Sequence, residues 1–169
     1  MWNTFGADVL VAVIGAALTV SIAFLTYLGR IRLEEHRALQ ILINDLHGRR
    51  ALAVGRGSKV RFASWSASFK RANASIISAR DEIKATRAKV RKHEKVQGPL
   101  VEMIRACNNY LEMIEGDPSS YLIYLAQLKL ELYAQALRLA SVRRGLKVAR
   151  PGDGAFQEQL NPHARPYAS

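Results

Sequence analysis

Residues 9–28, VLVAVIGAALTVSIAFLTYL, are an unbroken apolar run of about twenty residues, the length at which a helix crosses the hydrocarbon core of a bilayer. Lipid offers no partner for a backbone N–H or C=O, so a run of this kind crosses as a helix that satisfies its own bonds. At about 1.5 Å per residue it spans roughly 30 Å. Everything after residue 28 is therefore expected to hang from a membrane.

Charge gives the span a direction. All 25 Lys and Arg follow the run, beginning at Arg30, and of the 14 acids only Asp8 precedes it. Cations gather on the cytoplasmic side of a span, so residues 1–8 are expected outside the cell membrane and the C-terminal part inside. With 13 acids against 25 cations that part carries +12, His counted neutral, and such an excess calls for an anionic neighbour, either lipid head groups or nucleic acid. A cleaved leader is the competing expectation, because Ser21-Ile22-Ala23 resembles a cleavage site. Its flanks are wrong: no basic stretch precedes the run, and apolar residues continue to Leu28.

Inside the span Gly15, Thr19 and Ala23 recur every fourth residue, the small-residue spacing that lets two membrane helices approach closely and self-associate. Trp2 and Tyr27 suit the two interfaces. Beyond Arg30 the chain is expected to continue as helix through Leu39, Leu42, Ile43 and Leu46 to about Val54, ended by Gly55 and Gly57. The clearest period follows: Trp65, Phe69, Ala72, Ile76, Ala79, Ile83, Thr86 and Val90 step alternately by four and three. This is a coiled-coil heptad seam, expected on a helix from Ser64 to Lys95 and stopped by Gly98-Pro99. A third helix carries Leu100, Ile104, Cys107, Leu111 and Ile114. Asp117-Pro118 opens a fourth with an N-cap and Pro at the first helical position. That helix shows Tyr121, Leu125, Leu128, Leu132, Leu139, Val142 and Leu146, widened by Leu122, Leu130, Tyr133 and Leu137. An apolar surface so wide wants neighbours on two sides.

The fold expected is all-α: a single transmembrane helix at residues 9–28, a cytoplasmic antiparallel bundle of about four helices over 30–149, and a disordered tail over 150–169. The tail is assigned on its scattered Pro and Gly and lack of period.

Nothing in the spacing supports catalysis or a cofactor. His36 and His47 share a helix face but stand roughly 16 Å apart, too far for one metal; His93 and His163 are isolated. Glu34-Glu35 and Asp81-Glu82 are adjacent on helices, so each pair diverges and reads as solvated charge. Cys107 lies on an apolar stripe, where a buried inert thiol is expected. The segment Gly55-Arg56-Gly57-Ser58-Lys59 lacks the Gly directly before Lys-Ser/Thr and the preceding strand of a phosphate loop.

Function then rests on the basic residues. No nucleic-acid-binding signature is present, and Trp65 and Phe69 belong to the seam, so anionic lipid is the simpler partner. If the second helix returns the full length of the first, Arg87, Lys89, Arg91, Lys92 and Lys95 come back beside Arg30 and Arg32. The fourth helix then adds Arg143, Arg144, Lys147 and Arg150 at the same end, while Glu112, Glu115 and Asp117 lie far from it. The sequence thus reads as a membrane-anchored, non-enzymatic interaction or assembly module, able to self-associate through its span, whose protein partner no motif identifies. A membrane-tethered nucleic-acid-binding or sensing module, and an oligomerising membrane effector or small pore component, are the two other classes. The pore is disfavoured by a span whose polar groups are Thr19, Ser21 and Thr26 alone.

Overall fold

The computed structural model describes residues 3–53, 67–91 and 93–155, with side chains from residue 13 onward. Among these the chain is all-α: α1 (Asn3–Gly48), α2 (Ala67–Lys89), α3 (Glu94–Gly116) and α4 (Tyr121–Val142), with 3-10 turns at Arg50–Leu52 and Pro118–Ser120. It divides into two compact units, Met1–His36 and Arg37–Ser169, which share α1.

No proline interrupts α1, and its 46 residues make about 69 Å of helix. In the first unit every described side chain from Val13 to Tyr27 is exposed, and the most apolar window is long and hydrophobic enough to cross a membrane, with mean hydropathy 1.6. Its hydroxyls need no outside partner. Thr19, Ser21 and Thr26 donate to the carbonyls of Gly15, Ala17 and Ile22 at 2.9, 2.7 and 2.8 Å, so the polar groups of the run are satisfied within the helix.

In the second unit the same helix turns one stripe inward. Leu39, Leu42, Ile43 and Leu46 are at most 1% exposed and join one core with Ile76 and Ile83 of α2, Leu100, Met103, Cys107 and Tyr110 of α3, and Leu125, Leu128, Leu132 and Leu139 of α4. The heptad seam of α2 is its buried face over Ala72, Ile76, Ala79, Ile83 and Thr86. Phe69 packs edge-to-face on Tyr121 at 5.4 Å, while Trp65 lies outside the described residues.

Helix order within this unit is antiparallel. The Tyr110 hydroxyl donates to Asn73 at 3.1 Å, and Arg49 donates to Asp45 at 2.6 Å and to the Ser75 carbonyl at 2.8 Å. These bonds, with the Phe69–Tyr121 contact, gather the end of α1, the start of α2, the end of α3 and the start of α4. Asp117 caps the last turn before α4 as expected. Hydrogen bonds from the Ser119 and Ser120 side chains hold its carboxyl below the usual range.

Several boundaries differ from the sequence expectation. The first break falls at Gly48 and not at Gly55. Helix α2 ends at Lys89 and α3 begins at Glu94, so Gly98-Pro99 lies inside α3. Gly98 there has no neighbour within 4 Å that an added Cβ would meet. The reason is Gln97, whose amide donates to the carbonyls of Arg87, Val90 and Arg91 at 3.2, 3.1 and 3.3 Å while Arg87 Nε donates to its Oε1 at 2.9 Å. That side chain supplies the donors which the last carbonyls of a helix lack. Glu35, expected solvated, is 2% exposed.

The tail boundary is corrected as well. After Val142 the chain turns at Gly145 (φ 93°), buries Leu146 and runs back along α1. Gln40 accepts from Lys147 N at 2.9 Å and donates to its carbonyl at 3.0 Å, His47 Nδ1 meets the Arg150 carbonyl at 2.8 Å, and Gly152 N donates to Leu46 O at 3.0 Å. Lys129 and Asp153 pair at 2.8 Å. Residues 150–155 are therefore a packed strap, tied by partners far away in sequence that a local period does not reveal; residues 156–169 lie outside the description.

Candidate functional site

With α3 and α4 of nearly equal length, 23 and 22 residues, and antiparallel, the α2–α3 turn and the end of α4 share one end of the second unit. Arg87, Lys89, Arg91 and Lys95 surround that turn, all exposed, and Arg143 and Arg144 follow the last residue of α4. Glu94 stands among them. About 33 Å of helix separates this end from the opposite one, where Glu112 and Glu115 are exposed and Asp117 caps the turn.

The basic end is built by the Gln97 junction. Binding the Arg87 guanidinium to Gln97 and the Gln97 amide to three carbonyls fixes the turn in a shape that keeps its cations outward. A shallow groove beside it is lined by Lys84, Arg87, Ala88, Val90, Glu94 and Gln97. Sequence reasoning singled out the cations and missed Gln97, for which the local pattern carries no signal.

Of the other expected residues, Lys92 lies outside the described residues. Lys147 is exposed but tied through its backbone to Gln40. The turn at 143–146 carries Arg150 away from the basic end to a place beside His47, with its guanidinium 5.7 Å from the centre of the Tyr133 ring. Arg30 and Arg32 are exposed in the first unit and, two residues apart, point to opposite sides of α1. Gly15, Thr19 and Ala23 lie on one exposed face, and a Cβ added at Gly15 would meet nothing within 4 Å.

Chemistry elsewhere is muted. Cys107 is buried, and burial pushes its thiol up to about 12 against the pull of Arg80 and Arg49. A thiol held neutral in this way is a poor nucleophile. Burial, with Tyr121 nearby, pushes Tyr110 up to about 12 as well. Among the described residues no three His, Cys, Asp or Glu come together as a metal site would require. Compared with known proteins, the chain matches no family model, no curated protein and no solved structure.

Proposed function

We propose that this chain is a single-pass, membrane-anchored and non-catalytic interaction and assembly module, its N-terminus outside the cell membrane and its basic helical domain docked on the anionic lipid of the cytoplasmic leaflet. The observation that supports this best is the gathering of Arg87, Lys89, Arg91, Lys95, Arg143 and Arg144 at one end of the packed unit, on a chain with a helix long and apolar enough to span. Each such charge near an anionic surface contributes on the order of 1 kcal/mol. The attraction acts only within a screening length of roughly 8 Å, so the end that faces the lipid determines the affinity.

The test uses full-length protein in vesicles, in a Cys107→Ser background. A fluorophore on Ala88→Cys, at the basic end, should be quenched by nitroxide-labelled head groups more strongly than one on Glu115→Cys, at the other end. The excess should require anionic lipid and fade as salt rises. Neutralising Arg87, Lys89, Arg91, Lys92 and Lys95 should remove it, whereas neutralising Arg56, Lys59 and Arg61 should not. Equal quenching at the two labels would overturn the lipid contact. For topology, Thr4→Cys should react with impermeant maleimide in intact cells and Ser169→Cys should not; reversed labelling overturns the orientation.

A further inference from the structure

Helix α4 carries two apolar stripes, and the bundle covers one of them. Leu125, Leu128, Leu132, Ala136 and Leu139 face the core, whereas Ile123, Leu130 and Leu137, seven residues apart, are 67, 69 and 46% exposed. Ala126, exposed, and Tyr133 and Ala140, half-buried, follow each of these by three, Ala140 at the edge of the core. An apolar residue every seventh position, with a second set three residues on, is the seam by which one helix supercoils with another. No charged residue of α4 falls on it, although the Arg150 guanidinium of the strap stands 5.7 Å from the centre of the Tyr133 ring.

We propose that this outward seam pairs with the same seam of a second copy, side by side and parallel, in one membrane. The proposal rests on the anchored orientation proposed above. Two copies held in the bilayer by the same span present α4 at the same height, so the membrane itself sets the register, placing each seam residue opposite its own copy. The domain's net positive charge repels a second copy elsewhere, but of the two cations beside the seam Lys129 is bedded on Asp153 at 2.8 Å and Arg150 on the Tyr133 ring at 5.7 Å. Across a parallel pair Lys129 meets a neutral alanine, the partner's Ala134.

Area explains why the anchor is needed. Ile123 to Leu137 covers about 21 Å of helix, and one helix pair of that length falls short of the roughly 1,200 Å² that a stable free dimer buries. Confinement to one bilayer raises the effective concentration as a short linker does, to the order of mM, and so makes a weak contact sufficient.

The test is disulfide mapping of full-length protein in proteoliposomes, in the Cys107→Ser background, with one cysteine at Ile123, Leu130 or Leu137 and exposed controls at Glu131 and Ser78. Each seam cysteine should link to its own copy and the controls should stay monomeric. Adding Leu130→Glu to Ile123→Cys should lower the linked fraction by roughly tenfold or more, the loss of one buried leucine per copy. Far-UV circular dichroism and melting should not change, because Leu130 is exposed in the monomer. Controls that link as readily as the seam would overturn the proposal. So would Ile123→Cys linking only to Leu137→Cys, which is the antiparallel pair, or absence of linkage at any lipid-to-protein ratio. A linked fraction indifferent to Leu130→Glu but lost in Gly15→Leu assigns the dimer to the span and overturns it too. Head-group quenching at Ala88→Cys is read in the same vesicles: monomer with quenching intact overturns the pairing alone, and pairing without quenching overturns the lipid contact alone.

Discussion

The two ends of α1 have the same backbone and opposite surroundings. Between Val13 and Tyr27 apolar side chains point in every direction and all are exposed, with Phe24 at 59% and Leu25 at 67%. Between Arg37 and Gly48 the residues Leu39, Leu42, Ile43 and Leu46 form one stripe that is almost wholly buried, while Arg37, Ile41, Asn44 and Gly48 stay outside. A helix apolar all round suits lipid, and one apolar on a single stripe suits a protein core. The distribution of apolar side chains around the helix, more than their number, decides which solvent each end suits.

A charge placed in each end breaks the comparison most severely. Leu42→Asp puts an unpaired carboxylate in the core and should cost upward of about 4 kcal/mol, visible as loss of the cooperative transition in chemical denaturation. Leu18→Asp should leave that transition in place and instead weaken membrane insertion by about 2.5–3.5 kcal/mol, read by alkaline extraction. If both variants lose the same property, the two ends of α1 are not governed by different solvents.

Glycines sharpen the same contrast. A Cβ at Gly152, where φ is +80°, would stand 2.2 Å from the Leu52 carbonyl carbon, so Gly152→Ala should destabilise by about 2 kcal/mol or more. At Gly29 nothing lies within 4 Å, and Gly29→Ala should stabilise the helix by up to about 1 kcal/mol. Melting temperatures of the two variants should move in opposite directions.

Next in size, Gln97→Ala should cost about 1–3 kcal/mol by removing the side-chain donor of the Arg87 and Val90 carbonyls, while the Arg91 carbonyl keeps its bond from His93 N at 2.7 Å. Amide exchange should rise in residues 88–91 before it rises in α4. Smallest near neutrality is the pH effect. Cys107 and Tyr110 are raised to about 12 from ordinary values of 9.0 and 10.0, so as pH rises above about 9 the unfolded chain gives up these protons first. It then binds fewer protons than the folded chain, and stability falls with pH from there toward 12. The denaturation midpoint should therefore decline from pH 9 to 11, less steeply in Cys107→Ala and in Tyr110→Phe.

Much of this was legible from spacing because a helix brings together residues three and four apart whatever the rest of the chain does. The four-and-three seam of α2 and the stripe of Leu100, Cys107 and Ile114 follow from that local rule, and the apolar run and the Asp117-Pro118 cap of the turn before α4 follow from equally local residue choices. The basic residues were legible as a list but not as a surface, since their meeting at one end depends on where the turns fall.

The sequence by itself determined the apolar span, the all-α class and the face that each helix buries, because these depend on side chains a few residues apart. Tertiary structure decided the rest. Gly98-Pro99 looked like the stronger helix terminator, yet Gln97 reaches three carbonyls six to ten residues earlier and moves the break to residues 90–93. The strap at 150–155 has no period of its own and is ordered by Leu46, His47, Leu52 and Lys129, residues distant in sequence. Of the wide apolar surface of α4, expected to find neighbours on two sides, the bundle covers the stripe holding Leu125, Leu128 and Leu132 and leaves Ile123, Leu130 and Leu137 to solvent. Periodicity describes what one helix offers; which offer is taken depends on neighbours that only the folded chain brings together.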